Sequence, residues 1–285
     1  MKPISDLLNT LELEQLSETR FRGVSKDIGS RYVFGGQVLA QALSAATQTV
    51  EEERCVHSLH GYFILPGDIN TPIEYEVDLI RNGRSFTTRR VVAFQKNKAI
   101  FNMAASFQIE EEGFEHQIEM LNVPPPDSLT SFIELAKKYA PILNIKPVGL
   151  FAEDSPIEVR PVERINILSP GKHPPFRHVW FRSNGKMTDS KALHRFVLAY
   201  ASDFNLLITA LRPHNVSYLQ KNLQMASLDH AMWFHRDFRA DEWLLYALDS
   251  PSASNARGFC RGSIFNQKGE LIASVAQEGL IRLRK

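Results

Sequence analysis

The sequence predicts an α+β protein made of two copies of one unit, in which one long helix covers the apolar face of an antiparallel sheet. A helix followed by several alternating strands occurs once in each half of the 285 residues. The spacing repeats as well, because His60 and Gln108 lie 48 positions apart and His230 and Gln277 lie 47 apart. A repeat of both order and spacing indicates internal duplication.

The first half begins with a predicted surface helix at Asp6 to Leu16 and a strand at Thr19 to Ser25. Within Arg31 to Val50, Gly35 and Gly36 open a helix of small residues that can approach another backbone closely. Four strands are predicted next, at His57 to Leu65, Pro72 to Arg81, Ser85 to Gln95 and Ala99 to Ile109. The second of these alternates apolar and acidic residues, and a hairpin signal, Asn82-Gly83, follows it.

Prolines and glutamates interrupt the chain between the two halves, which is typical of a connection. One helix is predicted inside it, at Ser128 to Tyr139. We therefore divide the chain into an N-terminal unit at 1–115, a proline-rich linker at 116–156 and a C-terminal unit at 157–285 that carries the candidate catalytic acid.

The second half repeats the order of the first. Its elements are predicted strands at Ile157 to Ile167 and Arg177 to Arg182, a helix at Lys191 to Leu207, and strands at Leu223 to His235, Glu242 to Asp249, Ala256 to Asn266 and Glu270 to Leu280. Each unit would leave a wide sheet edge open. We therefore expect the two sheets to pair edge to edge.

The helix predicted at Lys191 to Leu207 carries one acid beside its apolar stripe. At 100° per residue, Asp203 projects roughly 80° from the centre of that stripe. A carboxylate in this position is costly to bury without a partner. It therefore has either a structural partner on a neighbouring strand or a catalytic role, and the helix alone does not decide between them.

Composition and motifs exclude several functions. The 33 basic and 32 acidic residues leave a net charge of +1, which argues against a general nucleic-acid binder. No apolar run is long enough to span a membrane, and the two cysteines form no pairing pattern. Neither the metal-binding HExxH and CxxC motifs nor a P-loop or a GxSxG elbow occurs. We expect a cytoplasmic protein without a bound metal.

Six stretches closely resemble the bacterial acyl-CoA thioesterase II family, and the similarity extends over nearly the whole chain. They are VFGGQVLAQAL from Val33, HSLHGYFILPGD from His57, YASDFNLL from Tyr200, LDHAMWFHRDF from Leu228, SASNARG from Ser252 and ASVAQEGL from Ala273. The resemblance implies a tandem, or double, hotdog fold, in which each half is an antiparallel sheet wrapped around one long helix. It also implies hydrolysis of fatty acyl-CoA, of medium to long chain, to free fatty acid and coenzyme A.

In that family an Asp, a Thr or Ser, and a Gln hold the hydrolytic water, and the resemblance maps them to Asp203, Ser227 and Gln277. These side chains can accept a proton and orient one water, so no cofactor is expected beyond the coenzyme A of the substrate. We expect the oxyanion at the amides of Gly36 and Gln37, because free amides at a helix start attract negative charge.

Other site residues and functions stay open. His57 is an alternative base or a substrate contact, although we favour a structural role. Arg90 and Arg257 could contact the phosphates of coenzyme A, although we favour pairing with acidic side chains. Gln108 is interpreted as a structural remnant, which leaves one site per chain. A hotdog enoyl-CoA hydratase or dehydratase and a non-catalytic acyl-CoA binding module are the competing functions. The resemblance further suggests a homo-oligomer, a dimer or tetramer formed by back-to-back sheets, with a role in fatty acid metabolism.

Overall fold

The computed structural model describes residues 3–144, 146–163, 171–218 and 220–284. Its strands form one continuous antiparallel sheet. The strands are β1 (Glu14–Ser17), β2 (Arg20–Gly23), β3 (Cys55–Phe63), β4 (Ile73–Asn82), β5 (Phe86–Gln95), β6 (Lys98–Gln108), β7 (Ile157–Pro161), β8 (Phe176–Ser183), β9 (Leu223–Ser227), β10 (Asp229–Phe234), β11 (Leu244–Ser254), β12 (Arg257–Asn266) and β13 (Leu271–Leu283). The helices are α1 (Pro3–Leu11), α2 (Gly35–Thr47), α3 (Phe132–Leu143) and α4 (Lys191–Ser202), with 3-10 turns at Pro126–Ser128, Gly149–Phe151 and Leu207–His214.

The two halves join through β3 and β10, which are edge strands of their own halves and become the middle of the joined sheet. The order across the sheet is β1-β2-β4-β5-β6-β3-β10-β13-β12-β11-β8-β7, and β9 pairs with β13 beside that path. Strands β3 and β10 pair antiparallel, with Ala231 opposite His60. The expected edge-to-edge pairing of the two sheets is therefore confirmed, and each half hides the open edge of the other.

The two long helices lie on the inner face of this sheet and pack against each other. Small and apolar side chains make this close packing possible, and Ala42 of α2 and Ala199 of α4 are both fully buried. The core formed by the helices and the inner sheet face is continuous across both halves. This arrangement brings the start of α2 next to the end of α4, where the candidate acid lies. No helix in the described part of the chain is long and apolar enough to cross a membrane.

Several predicted elements differ from the structure at their ends. The predicted helix at Asp6 to Leu16 ends at Leu11, and its last residues begin the strand β1 instead. In the connection, the helix starts at Phe132 because Ser131 caps it: Ser131 Oγ accepts from the Glu134 amide, and Glu134 accepts from the Ser131 amide. The predicted strand at Ile157 to Ile167 ends at Pro161, and its positions 164–167 lie outside the described residues.

Two further corrections concern the candidate site. The helix predicted to reach Leu207 ends at Ser202, so Asp203 is its C-terminal capping residue and does not lie within it. The single strand predicted at Leu223 to His235 is divided at Leu228 into β9 and β10. Periodicity missed both features because a helix end and a one-residue interruption leave the apolar pattern almost unchanged.

Candidate active site

Asp203 lies where the end of α4 meets the start of α2. The chain turns out of the helix immediately after it, and Asn205 takes a left-handed conformation with φ of 67°. Asparagine tolerates this conformation better than most residues, so it ends the helix here. Two helix dipoles therefore act on the carboxylate: the C-terminus of α4 disfavours its negative charge, and the N-terminus of α2 favours it.

The two glycines that open α2 allow this close approach. The Gly36 amide faces the Asp203 carboxylate and lowers its pKa, because it favours the charged form. A Cβ at Gly35 would lie 2.8 Å from Asp203 Oδ2, and one at Gly36 would collide with the backbone carbonyl oxygen of Tyr200. Glycine is therefore required at both positions for contact between the helices, rather than for its backbone freedom.

A β-bulge directs the strand residues of the site to the same face. Ser227 lies opposite Gly279 on β13, whereas the register that pairs Ala231 with Ala276 places His230 beside Gln277. Two residues of the bulged strand therefore oppose one residue of β13. Ser227 and His230, three apart, would face opposite ways in a regular strand, but the bulge turns both towards the helices.

The three side chains that the resemblance mapped to the site lie within hydrogen-bonding reach of one another. Gln277 Nε2 donates to Ser227 Oγ at 2.6 Å, and Ser227 Oγ donates to Asp203 Oδ1 over a longer distance of 3.4 Å. The Gln277 amide also favours the charged form of Asp203 and lowers its pKa. Gln277 is 1% exposed, whereas Asp203 and Ser227 are half-buried. The acid is thus held by donors on the two strands and on α2.

Burial raises the pKa of the Asp203 carboxyl above its usual value. The nearby imidazole of His230 opposes this shift, as do the hydrogen bonds from Gly36, Gln277 and Ser227, because all of them favour the charged form. Desolvation is the largest of these effects, so the net direction is upwards. A carboxylate with a raised pKa is a stronger base than an ordinary surface aspartate.

The structure adds a buried histidine and serine that sequence reasoning did not assign to the site. His230 Nδ1 lies 2.7 Å from Gln277 Oε1, and His230 Nε2 lies 2.9 Å from Ser202 Oγ. Burial lowers the pKa of His230, and the Asp203 carboxylate and the hydrogen bond with Gln277 both oppose this shift. In the sequence, His230 indicated only the spacing of the repeat. Its alternation with Met232 and Phe234 was the signal that could have placed it on the inner face.

The other predicted binding residues lie elsewhere or are already paired. The Gln37 amide, expected to bind the oxyanion, instead donates to the Phe34 carbonyl at 3.1 Å and is not free in the structure. The imidazole of His57 lies 2.8 Å from Ser106 Oγ, and burial lowers its pKa. His57 is about 20 Å along β3 from Phe63, whose ring lies against Gly35. It therefore does not join the Asp203 cluster.

Both predicted arginines pair with acids, as favoured from the sequence. Arg90 Nε donates to Asp78 Oδ2 at 2.8 Å, and Arg257 Nε donates to Glu278 Oε1 at 2.9 Å. In the first half, Gln108 Nε2 donates to Glu111 Oε2 at 3.2 Å, so it contacts an acid of the following segment. Within the described ranges, no group of three or more His, Cys, Asp or Glu side chains has a geometry that could hold a metal ion.

Comparisons with known proteins agree over the whole chain. A family model described as "Acyl-CoA thioesterase" matches residues 148–280, and another, "Acyl-CoA thioesterase N-terminal domain", matches residues 24–108. The chain is 43% identical to "Acyl-CoA thioesterase 2" of Haemophilus influenzae, with 98% of each chain covered. It is 40% identical to "Acyl-coenzyme A thioesterase 8" of Homo sapiens, with 96% of this chain and 88% of that protein covered.

Solved structures support the same fold. The crystal structure of the acyl-CoA thioesterase II TesB2 from Mycobacterium marinum has a TM-score of 0.80 and 42% identity, and covers 98% of this chain and 99% of that one. A hot dog fold protein from Alicyclobacillus acidocaldarius has the same TM-score and coverage at 19% identity, which supports the fold alone. The predicted double hotdog is therefore confirmed.

Proposed function

The chain belongs to the acyl-CoA thioesterase family and is a thioester hydrolase, and from this premise we propose that a water molecule held by Asp203, Ser227 and Gln277 attacks the acyl-CoA thioester. The observation that carries the proposal is the convergence of the three side chains at the junction of the two helices. A carboxylate, a hydroxyl and an amide can together accept from and donate to one water. Ser227 and Gln277 lie on strands and Asp203 caps the end of α4, so all three are attached to rigid elements, which favours precise positioning.

The chemical steps follow from these groups. Water attacks the thioester carbonyl carbon while Asp203 accepts its proton, and a tetrahedral oxyanion forms. We propose that the oxyanion lies at the N-terminus of α2, whose dipole favours negative charge; the Gly36 amide, which faces the charged Asp203 in the resting site, can serve the oxyanion once Asp203 has taken the proton. Collapse of this intermediate breaks the C–S bond, and Asp203 returns the proton to the departing thiolate. The products are free fatty acid and coenzyme A, and the proposal requires no separate cofactor.

We also propose that the acyl group is of medium to long chain. Apolar rings lie beside the site: Phe34 stacks on Phe204 with ring centroids 4.2 Å apart and meets Tyr200 edge-on at 5.1 Å. Tyr200 also lines a cavity together with Leu7 and Ile28. The same cavity is also lined by Thr10, Lys26 and Gln37, so the aromatic rings beside Asp203 are the observation that favours an alkyl chain, which gains free energy on leaving water.

The oligomeric state of the protein and its location in the cell are further predictions. A homo-oligomer, either a dimer or a tetramer, and a cytoplasmic protein acting in fatty acid metabolism are expected. Light scattering of the purified chain measures its mass in solution, and a monomeric mass would contradict the expected oligomer.

The experiment that tests the function measures free thiol release from saturated acyl-CoAs of short to long chain. A saturated substrate is informative because a hydratase or dehydratase needs a double bond and releases no thiol from it. We expect turnover to increase from short to medium and long chains. Highest activity with the shortest chains would contradict the chain-length proposal alone, and saturable binding without thiol release would contradict hydrolysis.

Replacing Ser227 tests the orienting role of its hydroxyl. We expect Ser227→Ala to lower kcat by about tenfold, less than loss of the base, because Gln277 and Asp203 can still hold the water. Ser227→Thr keeps the hydroxyl and is expected to stay within a few-fold of the wild type. Equal kcat values for the wild type and Ser227→Ala in the thiol-release assay would remove Ser227 from the site.

A further inference from the structure

His230 is a fully buried hydrogen-bonding group behind Gln277. It is 0% exposed and lies on the inner face of β10, between Ser202 at the end of α4 and Gln277 on β13. Each of its ring nitrogens has one polar partner. Buried polar groups in contact must match donor to acceptor, so one proton position on the ring constrains every bond connected to it.

The direction of these bonds can be worked out from Asp203. An ionised carboxylate only accepts, so Ser227 must direct its single hydroxyl proton to Asp203 and can only accept from Gln277. Gln277 must therefore present its NH2 group to Ser227, and the same group lies near enough to Asp203 to favour its charged form. The Gln277 carbonyl oxygen is then left facing His230 Nδ1. This oxygen can only accept, so Nδ1 must carry a proton.

We propose that His230 is a positioning residue for the reaction: its Nδ1–H holds the Gln277 carbonyl, and thereby fixes the amide orientation that directs the two N–H groups of Gln277 towards Ser227 and Asp203. This inference rests on the proposed function of that site. Amide oxygen and nitrogen have nearly the same shape, so packing alone does not stop Gln277 from turning over. A reversed amide would place its oxygen against Ser227 and the Asp203 carboxylate, and Ser227 would lose its donor.

A neutral ring with its proton on Nδ1 requires Ser202 to donate to His230 Nε2 rather than to the Ala199 carbonyl. Ser202 Oγ lies 2.9 Å from both His230 Nε2 and the Ala199 carbonyl oxygen, and it has one proton to give. When Ser202 donates to Nε2, the neutral ring carries its proton on Nδ1, as the rest of the chain of bonds requires. Burial of His230 favours the neutral ring by lowering its pKa, whereas the carboxylates of Asp203 and Asp229 favour the charged ring.

The first test observes the tautomer directly in the intact protein. Nitrogen-15 NMR of histidine-labelled chain distinguishes Nδ1–H, Nε2–H and doubly protonated rings, and the His230 signals are assigned by their loss in His230→Asn. We expect neutral Nδ1–H between about pH 6 and about pH 8. An Nε2–H ring or an imidazolium over that range would overturn the proposal, whatever the activity of the enzyme.

The second test compares two uncharged replacements that differ in which ring nitrogen they imitate. The amide of His230→Asn can reach the Nδ1 position and donate to Gln277, whereas that of His230→Gln extends towards the Nε2 position and Ser202. We expect kcat of His230→Asn to stay within about tenfold of the wild type and kcat of His230→Gln to fall by about 100-fold. KM should be nearly unchanged in both variants, because a misplaced polar group affects the chemical step. Equal losses in the two variants would overturn the proposal.

The matched control is His235, whose Nε2 lies 2.9 Å from Ser274 Oγ in an exposed histidine–serine pair near the end of the same strand. His235→Gln is expected to leave kcat and KM unchanged, and an equal loss of kcat there would overturn the proposal. The NMR result also separates this inference from the proposed function. If Asp203→Asn keeps full activity, the proposed site fails even when the Nδ1–H tautomer is found; an inactive Asp203→Asn with an Nε2–H ring refutes only the role of His230.

Discussion

Asp203→Asn is expected to lower kcat for thiol release by about 100-fold or more, the range for loss of a general base. The amide keeps the shape of the side chain but cannot take a proton from water. KM should change little, because Asp203 lies at the reacting water and not along the acyl chain. Since burial raises the pKa of Asp203, the acid limb of the wild-type pH–rate profile should lie above that of an ordinary carboxyl group. Wild-type turnover by Asp203→Asn would contradict its assignment as the base.

A stability measurement provides the control for this variant. A carboxyl whose pKa is raised by folding binds its proton more tightly in the folded chain, so stability decreases as pH rises from the unfolded pKa through the folded one. The charged Asp203 therefore costs stability at neutral pH. We expect Asp203→Asn to unfold at a higher temperature than the wild type at neutral pH, with a smaller difference at acidic pH. A lower Tm for the variant at neutral pH would show that the carboxylate is held for stability.

Gly36→Ala is expected to have the second large effect, on stability and activity together. Alanine in a helix is intrinsically more favourable than glycine by about 1 kcal/mol. Here its Cβ would collide with the Tyr200 carbonyl, a backbone atom that cannot move without shifting α4. Overpacking of this kind costs about 1–3 kcal/mol, so the clash outweighs the helix gain. The separation of the helices would also withdraw the Gly36 amide from Asp203, and we expect kcat to fall about tenfold or more.

Gly113→Ala is the matched control, because a Cβ at Gly113 would meet no atom within 4 Å. Thermal unfolding and the thiol-release assay on both variants separate the close helix contact from the general effect of replacing glycine. We expect Gly113→Ala to behave as the wild type. A Gly36→Ala variant as stable and active as the wild type would show that the helices can separate there without cost.

Alternation and spacing predicted most of the fold because each unit buries one face of its sheet. The strand predicted at Pro72 to Arg81 lies at Ile73–Asn82, one residue away. The prediction was close because only one face of this alternating strand is apolar, so only that face can pack against the core. Edge pairing between the halves also followed, because an open edge has unpaired backbone groups. Element ends were less predictable: Ser131 starts α3 through a local capping box that the apolar pattern does not contain.

The candidate site was predicted only in part. Asp203, Ser227 and Gln277 came from the family resemblance, and their proximity depends on features that sequence periodicity does not encode. The break at Leu228 is one such feature, because it turns Ser227 and His230 to the same face. His230 was missed because a histidine on a strand is compatible with many partners, and its partners here come from α4 and β13.

The sequence by itself determined the duplication, the α+β class and the residue types available for chemistry, because these depend on short-range patterns of polarity and spacing. Tertiary structure alone decided that the acid follows the end of α4, that two glycines bring the start of α2 against it, and that a bulge brings a serine and a histidine to one face. Those outcomes depend on contacts between residues distant in the chain, in which atoms a few ångströms apart either fit or collide.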